Sequence, residues 1–185
     1  MVCKQPKYRE KQQALMCGKH AINNLVQKKK ATCKQLNKIG KNISNNFGIP
    51  VQELVDETNG LYDISVLETW LIENGYETHT LAPTNFHKMS LRQSSRLMGY
   101  IIGDGNHWAV LRKTETVGCY FLIDSLSHSP FLNNTIIETP KLIKNIKKWL
   151  AENQTINLVI KVLEKKKIWS RLISSLLLHR NENNL

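Results

Sequence analysis

The sequence predicts an α+β domain, on three observations. Apolar residues recur at helical spacing over the N-terminal part of the chain, up to about Leu71. From Tyr76 to Asp124 they give way to short apolar runs separated by turn formers. One more helical pattern and one more strand-like run close the domain near residue 163, so helices and strands are segregated rather than alternating.

The first helix is read around Cys17–Val26, where Cys17, Ala21 and Leu25 recur every fourth residue with Ile22 and Val26 beside them. Lys28, Lys29 and Lys30 follow its C-terminal end, where positive charge suits the helix dipole. A second helix is expected over Thr32–Ile43, with Leu36, Ile39 and Ile43 on one face. Pro50 suits the first position of a third, with Val51, Leu54 and Val55 turned inward. Asn59-Gly60 is a turn signal. Asp63 is a good N-cap for a helix carrying Ile64, Leu67, Trp70 and Leu71, and Gly75 suits its end. Tyr76–Leu81, Leu97–Ile102, His107–Arg112 and Cys119–Asp124 read as strands of an antiparallel meander, with the turn-forming Gly103-Asp104-Gly105-Asn106 between two of them. Thr139-Pro140 opens a core helix with Leu142, Ile143, Ile146, Trp149 and Leu150, and Ile156–Leu163 reads as the last strand.

The chain has 185 residues, 41% of them hydrophobic, which suits one domain with a sizeable core. We divide it into a domain over residues 1–163 and a tail over 164–185. The charge-rich start has no apolar segment behind it, so a secretory signal is not expected and a cytoplasmic location is. The four cysteines, Cys3, Cys17, Cys33 and Cys119, are then expected as free thiols, and no Cys/His spacing suggests a zinc site. The net charge of +11 is unevenly spread, with basic ends enclosing an acidic middle over residues 42–140. Charge of this kind also fits a polyanion-binding protein, yet no nucleic-acid motif accompanies it. In the tail, Lys165, Lys166 and Lys167 precede Ile168, Trp169, Leu172, Ile173, Leu176 and Leu177 at helical spacing. Such a basic, amphipathic helix suits an anionic membrane surface, a partner protein or the domain's own core.

Three residues carry chemistry if they meet. Cys17 opens a helix, and the unpaired N–H groups there stabilise a thiolate. His107 starts a strand after a turn and has the proton affinity to take a thiol proton and return it to a leaving amine. Asp124 ends the next apolar strand and can accept the other imidazole N–H, which fixes the tautomer. Each has an ordinary structural reading alone: a small buried apolar residue, a solvated turn histidine and a turn acid. Together they form a Cys…His…Asp order whose last two members lie on consecutive strands. Gln12, five residues before Cys17, is placed to donate its side-chain N–H to an oxyanion.

The run Tyr8-Arg9-Glu10-Lys11-Gln12 followed by Leu15-Met16-Cys17-Gly18-Lys19-His20-Ala21-Ile22-Asn23-Asn24-Leu25 resembles the opening motif of the Josephin family, E-(K/R)-Q and then C-x-x-H-x-x-N. Asn59-Gly60 with Tyr62-Asp63-Ile64, Gly75-Tyr76-Glu77, Met98-Gly99-Tyr100, His107-Trp108 and Leu122-Ile123-Asp124-Ser125-Leu126 also have counterparts in order, over roughly residues 8–163. The resemblance implies a papain-like α+β fold with an N-terminal helical part and a central antiparallel sheet. It implies hydrolysis of (iso)peptide bonds at the C-terminus of ubiquitin or polyubiquitin, without metal or cofactor. Cys17 would then be the nucleophile, His107 the base, Asp124 the orienting acid and Gln12 the oxyanion donor, with His20 and Asn24 structural. The acidic middle suits the basic C-terminal end of ubiquitin. The stretch between Ile43 and Asn59 is short where some members carry a helical hairpin over the cleft. The alternative is a ubiquitin-binding module with little or no activity.

Overall fold

The computed structural model describes residues 6–12, 16–57, 60–81, 95–103, 106–126, 136–138 and 158–165. The expected helix from Thr139 to Leu150, the segment 83–94, Cys3, Asn59, the Asp104-Gly105 pair and the tail beyond residue 165 lie outside these.

Helices come first. α1 spans Cys17–Val26, α2 Cys33–Phe47, α3 Val51–Leu54 and α4 Ile64–Glu73. α2 starts at Thr32, whose hydroxyl accepts from Gln35 N while the Gln35 side chain accepts from Thr32 N, a reciprocal cap. It runs four residues beyond Ile43 because nothing interrupts it until Gly48, which takes the left-handed conformation (φ 68°). Asp63 caps α4 through Ser65 N, as the sequence predicts, and Gly75 follows its end at φ 85°. Pro50 is the cap of α3 rather than its first residue, and α3 stops at Leu54. Val55 therefore belongs not to that helix but to a short ribbon, β1 (Val55–Asp56) against β2 (Leu61–Tyr62).

A six-stranded, wholly antiparallel sheet follows, built from β3 (Tyr76–Leu81), β4 (Leu97–Gly103), β5 (Trp108–Lys113), β6 (Cys119–Ile123), β7 (Ile136–Glu138) and β8 (Leu158–Glu164). Its spatial order is β3-β8-β4-β5-β6-β7. Strands β4 to β6 form a meander as expected and β7 extends it, but β3, also expected in the meander, is separated from β4 because the last strand enters between them. β7 is an edge strand that the sequence reading did not anticipate.

Alternation along the strands divides the sheet into two apolar faces. Ile101, Trp108, Val110, Phe121, Ile123, Ile160 and Val162 join α1, α2 and α4 in one core, with Ile22, Leu25, Leu36, Val66, Leu67 and Leu71 fully buried. Tyr100, Ile102, Ala109, Leu111, Tyr120, Leu122 and Val159 are buried on the opposite face. This is why the strands read as continuous apolar runs rather than alternating ones. Among the described residues, no helix is long and apolar enough to cross a membrane.

Gly99 marks the irregularity in β4, where the register against β8 shifts between Leu97 and Gly99. A Cβ there would lie 2.2 Å from Leu111 O of the neighbouring strand. Gly99→Ala is expected to force β4 and β5 apart and lower stability by about 1–3 kcal/mol, as overpacking does; urea denaturation measures this against the parent chain.

Candidate active site

Cys17 is the first residue of α1 and is 1% exposed. No side chain caps this helix start, and its first turn contains no acid, so the positive end of the dipole is left for the sulfur. The helix start is held closely. A Cβ on Gly18 would lie 3.0 Å from Leu67, 3.4 Å from Tyr62 and 3.5 Å from Trp108. Trp108 is itself fixed by its indole N–H, which donates to Tyr62 O at 3.1 Å. Gly60, at φ 69°, turns the chain beside Met16, and a Cβ there would lie 2.6 Å from Met16 Cγ.

His107 directly precedes β5, and Asp124 directly follows β6. Pairing of these strands in the register Val110↔Ile123 brings the two side chains together. His107 Nε2 lies 2.8 Å from Asp124 Oδ1, with side-chain exposures of 12% and 0%. The same oxygen accepts from Leu126 N at 2.9 Å, which fixes the carboxylate. Burial of the imidazole opposes its charge, but hydrogen bonding and electrostatic interaction with Asp124 and Cys17 outweigh this. The His107 pKa is raised from 6.5 to about 9. Near neutral pH the imidazole therefore carries its proton, between a carboxylate and the cysteine.

Gln12 lies in the segment of residues 6–12, which belongs to no helix or strand. The segment is fastened to α1 by side chains of the opening motif. Glu10 N donates to Asn24 Oδ1 at 2.6 Å, and Asn24 Nδ2 donates to Glu10 O at 3.2 Å. Asn23 Nδ2 donates to Glu10 Oε2 at 2.7 Å, and His20 Nδ1 lies 3.4 Å from that same oxygen. Gln27, left-handed at φ 61°, exchanges two bonds with the Tyr8 backbone. Beyond this strap, Gln12 N donates to Ser125 O at 2.9 Å and Ser125 Oγ donates to Gln12 Oε1 at 3.0 Å. The far end of α1 is also tied to the site's sheet, since Arg112 of β5 donates to Leu25 O.

The structure thus brings Cys17, His107 and Asp124 together and sets Gln12 against the residue after Asp124. His20 and Asn24 lie on α1 facing the strap, Asn24 bonded to the Glu10 backbone and His20 beside the Glu10 carboxylate. Ser125, Asn23 and Glu10 were not singled out beforehand. A serine directly after the acid and an asparagine beside Asn24 were the available signals, and neither names its partner. Among the described residues, no three His, Cys, Asp or Glu side chains converge as metal ligands.

A cysteine at a helix start, facing a histidine and an acid on adjacent strands, is the arrangement of a papain-like cysteine peptidase. The Josephin family model matches residues 12–161, and the chain belongs to that family, whose members are deubiquitinase-type cysteine peptidases. In fold it is similar to the peptidase domain of Streptococcus ComA, a bi-functional ABC transporter involved in a quorum sensing pathway. That match has TM-score 0.50 and 10% identity and covers 87% of this chain and 100% of that one. The Streptococcus mutans ComA peptidase domain, in complex with a small-molecule inhibitor, gives TM-score 0.43 and 11% identity over 84% and 98%. The comparison with curated proteins found no match.

Asn24→Ala removes both bonds to the Glu10 backbone. It is expected to speed hydrogen exchange at the Glu10 amide and to cost about 1–3 kcal/mol through the buried groups left unpaired. Exchange unchanged at that amide would mean that the strap is held elsewhere.

Proposed function

We propose that this chain is a thiol-dependent deubiquitinase that cleaves peptide and isopeptide bonds at the C-terminus of ubiquitin. The observation that carries the reading is the His107–Asp124 pair at 2.8 Å, hydrogen-bonded on to Cys17 at the start of α1. Family membership supplies the substrate class.

In this mechanism His107 takes the Cys17 proton. The thiolate attacks the carbonyl carbon of ubiquitin's last residue, forming a C–S bond and moving the carbonyl electron pair onto oxygen. Gln12 Nε2 and a backbone N–H of the uncapped α1 start stabilise that oxyanion. Collapse expels the amine of the substrate lysine or following residue, which takes its proton from His107. Water then gives a proton to His107 as it attacks the thioester. The thiolate leaves, and the carboxylic acid formed loses its proton to solvent and is released as the carboxylate of ubiquitin. Asp124 holds the imidazolium in place throughout and is not itself protonated.

Ubiquitin bearing a C-terminal electrophile tests this. A covalent adduct is expected with the parent chain and with Cys119→Ala, whose thiol is buried in β6, and not with Cys17→Ala. A folded parent that binds ubiquitin but forms no adduct would instead be the binding module.

A second expectation concerns pH. The proton on His107 is needed by the leaving amine, so kcat/KM should fall as pH rises through about 9. Asp124→Asn removes the carboxylate charge that raises the histidine, while burial continues to lower it. The alkaline limb should therefore move to lower pH in that variant, read from a pH–rate profile; a limb that stays in place would separate Asp124 from the histidine.

A further inference from the structure

We infer that Ser125 is a positioning residue for the oxyanion donor, its hydroxyl turning the Gln12 amide so that the N–H groups face the reacting carbonyl. This rests on the peptidase reading above and adds a residue that the Cys…His…Asp pattern does not contain.

A glutamine amide has two ends of nearly the same shape, and only the Nε2 end donates. Presented oxygen first, Gln12 would repel an oxyanion rather than stabilise it. The segment carrying it, residues 6–12, contributes no regular secondary structure. Ser125 constrains Gln12 at two points. Its carbonyl accepts from Gln12 N at 2.9 Å, and its hydroxyl donates to Gln12 Oε1 at 3.0 Å. Ser125 is 6% exposed, which limits competition from water for the same hydroxyl. It also adjoins Asp124, so consecutive residues after β6 orient the imidazole and the amide.

The inference is tested without ubiquitin. Iodoacetamide alkylation of Cys17, followed by the mass of the Cys17 peptide, reports the thiolate and His107 alone, because that displacement develops no oxyanion. An added acetylglycine aldehyde is attacked by the Cys17 sulfur to form a hemithioacetal, whose oxygen occupies the oxyanion position, and protects Cys17. Ser125→Ala should be alkylated at the parent rate but protected roughly tenfold less well, the size of one net hydrogen bond. Gln12→Ala should lose at least as much protection. Adding Ser125→Ala to Gln12→Ala should cost nothing further, because the serine acts only through the glutamine. Ser125→Thr, which keeps the hydroxyl, should restore protection.

Protection of Ser125→Ala equal to the parent's overturns the inference and leaves the peptidase reading intact. So does an added loss in the Gln12→Ala background, or an alkylation rate that falls in step with protection. A parent whose Cys17 resists alkylation sinks the peptidase reading, and this inference with it.

Discussion

Everything at the site follows from α1 being fastened along β5 at both ends. Cys17 meets His107 at one end, and Arg112 holds the Leu25 carbonyl at the other. From Cys17 to Leu25 a helix advances about 12 Å, and from His107 to Arg112 a strand advances about 16 Å. A long guanidinium side chain reaches across the difference. Helix and strand are therefore matched over their whole contact, and the cysteine cannot slide along the sheet without breaking the bond at the far end. Between them Ala21, Ile22 and Leu25 join Trp108 and Val110 in one apolar core. Rigid elements, not loops, set the distance between sulfur and imidazole.

The acid and the oxyanion donor depend on that frame in different ways. Asp124 is placed by strand pairing, so its position is as firm as the β5–β6 register. Gln12 is placed largely by side chains, through the amides of Asn23, Asn24 and Gln27 and the hydroxyl of Ser125, together with its own N–H bond to Ser125 O. Asn23 shows how much one amide can do: its oxygen accepts from Lys30 N and Ala31 N, and its nitrogen donates to Ala31 O and Glu10. A single buried side chain thereby closes the α1–α2 turn and holds the N-terminal strap. The electrostatics follow the same division, since a positive imidazole is stabilised by a buried carboxylate on a strand and by a sulfur on a helix.

Much of this was legible in the sequence, and the limits have physical causes. The bounds of α1 were readable because its apolar spacing begins at Cys17 and ends at Val26. The capping residue Asp63 and the stop at Gly75 were readable because their chemistry is local. Strands β4, β5 and β6 were readable as apolar runs, being buried on both faces. The sequence could not show that Val55 leaves the helix for a ribbon, since a β-branched residue inside the apolar spacing fits either state. It could not show β7, whose three residues give too short a pattern, or the insertion of β8 between β3 and β4, which is non-local. At the site, the types and order of Cys17, His107 and Asp124 were legible, because chemistry constrains them. The partners of Glu10, Asn23 and Ser125 were not, because a hydrogen-bonding side chain in a sequence does not say what it will meet.

The place of β8 bears on how the molecule is made. Of the described strands, synthesis delivers β3 early and β8 last, yet among them β3 pairs with β8 alone. Until residues 158–164 have left the ribosome, β3 and β4 both lack the strand that pairs with them in the folded sheet. The helices and the β4–β7 meander, which include Cys17, His107 and Asp124, are synthesised before that point. A nascent chain therefore carries its chemical groups well before it owns a closed sheet. The joining of β8 to β3 and β4 is a late, long-range event that costs loop-closure entropy.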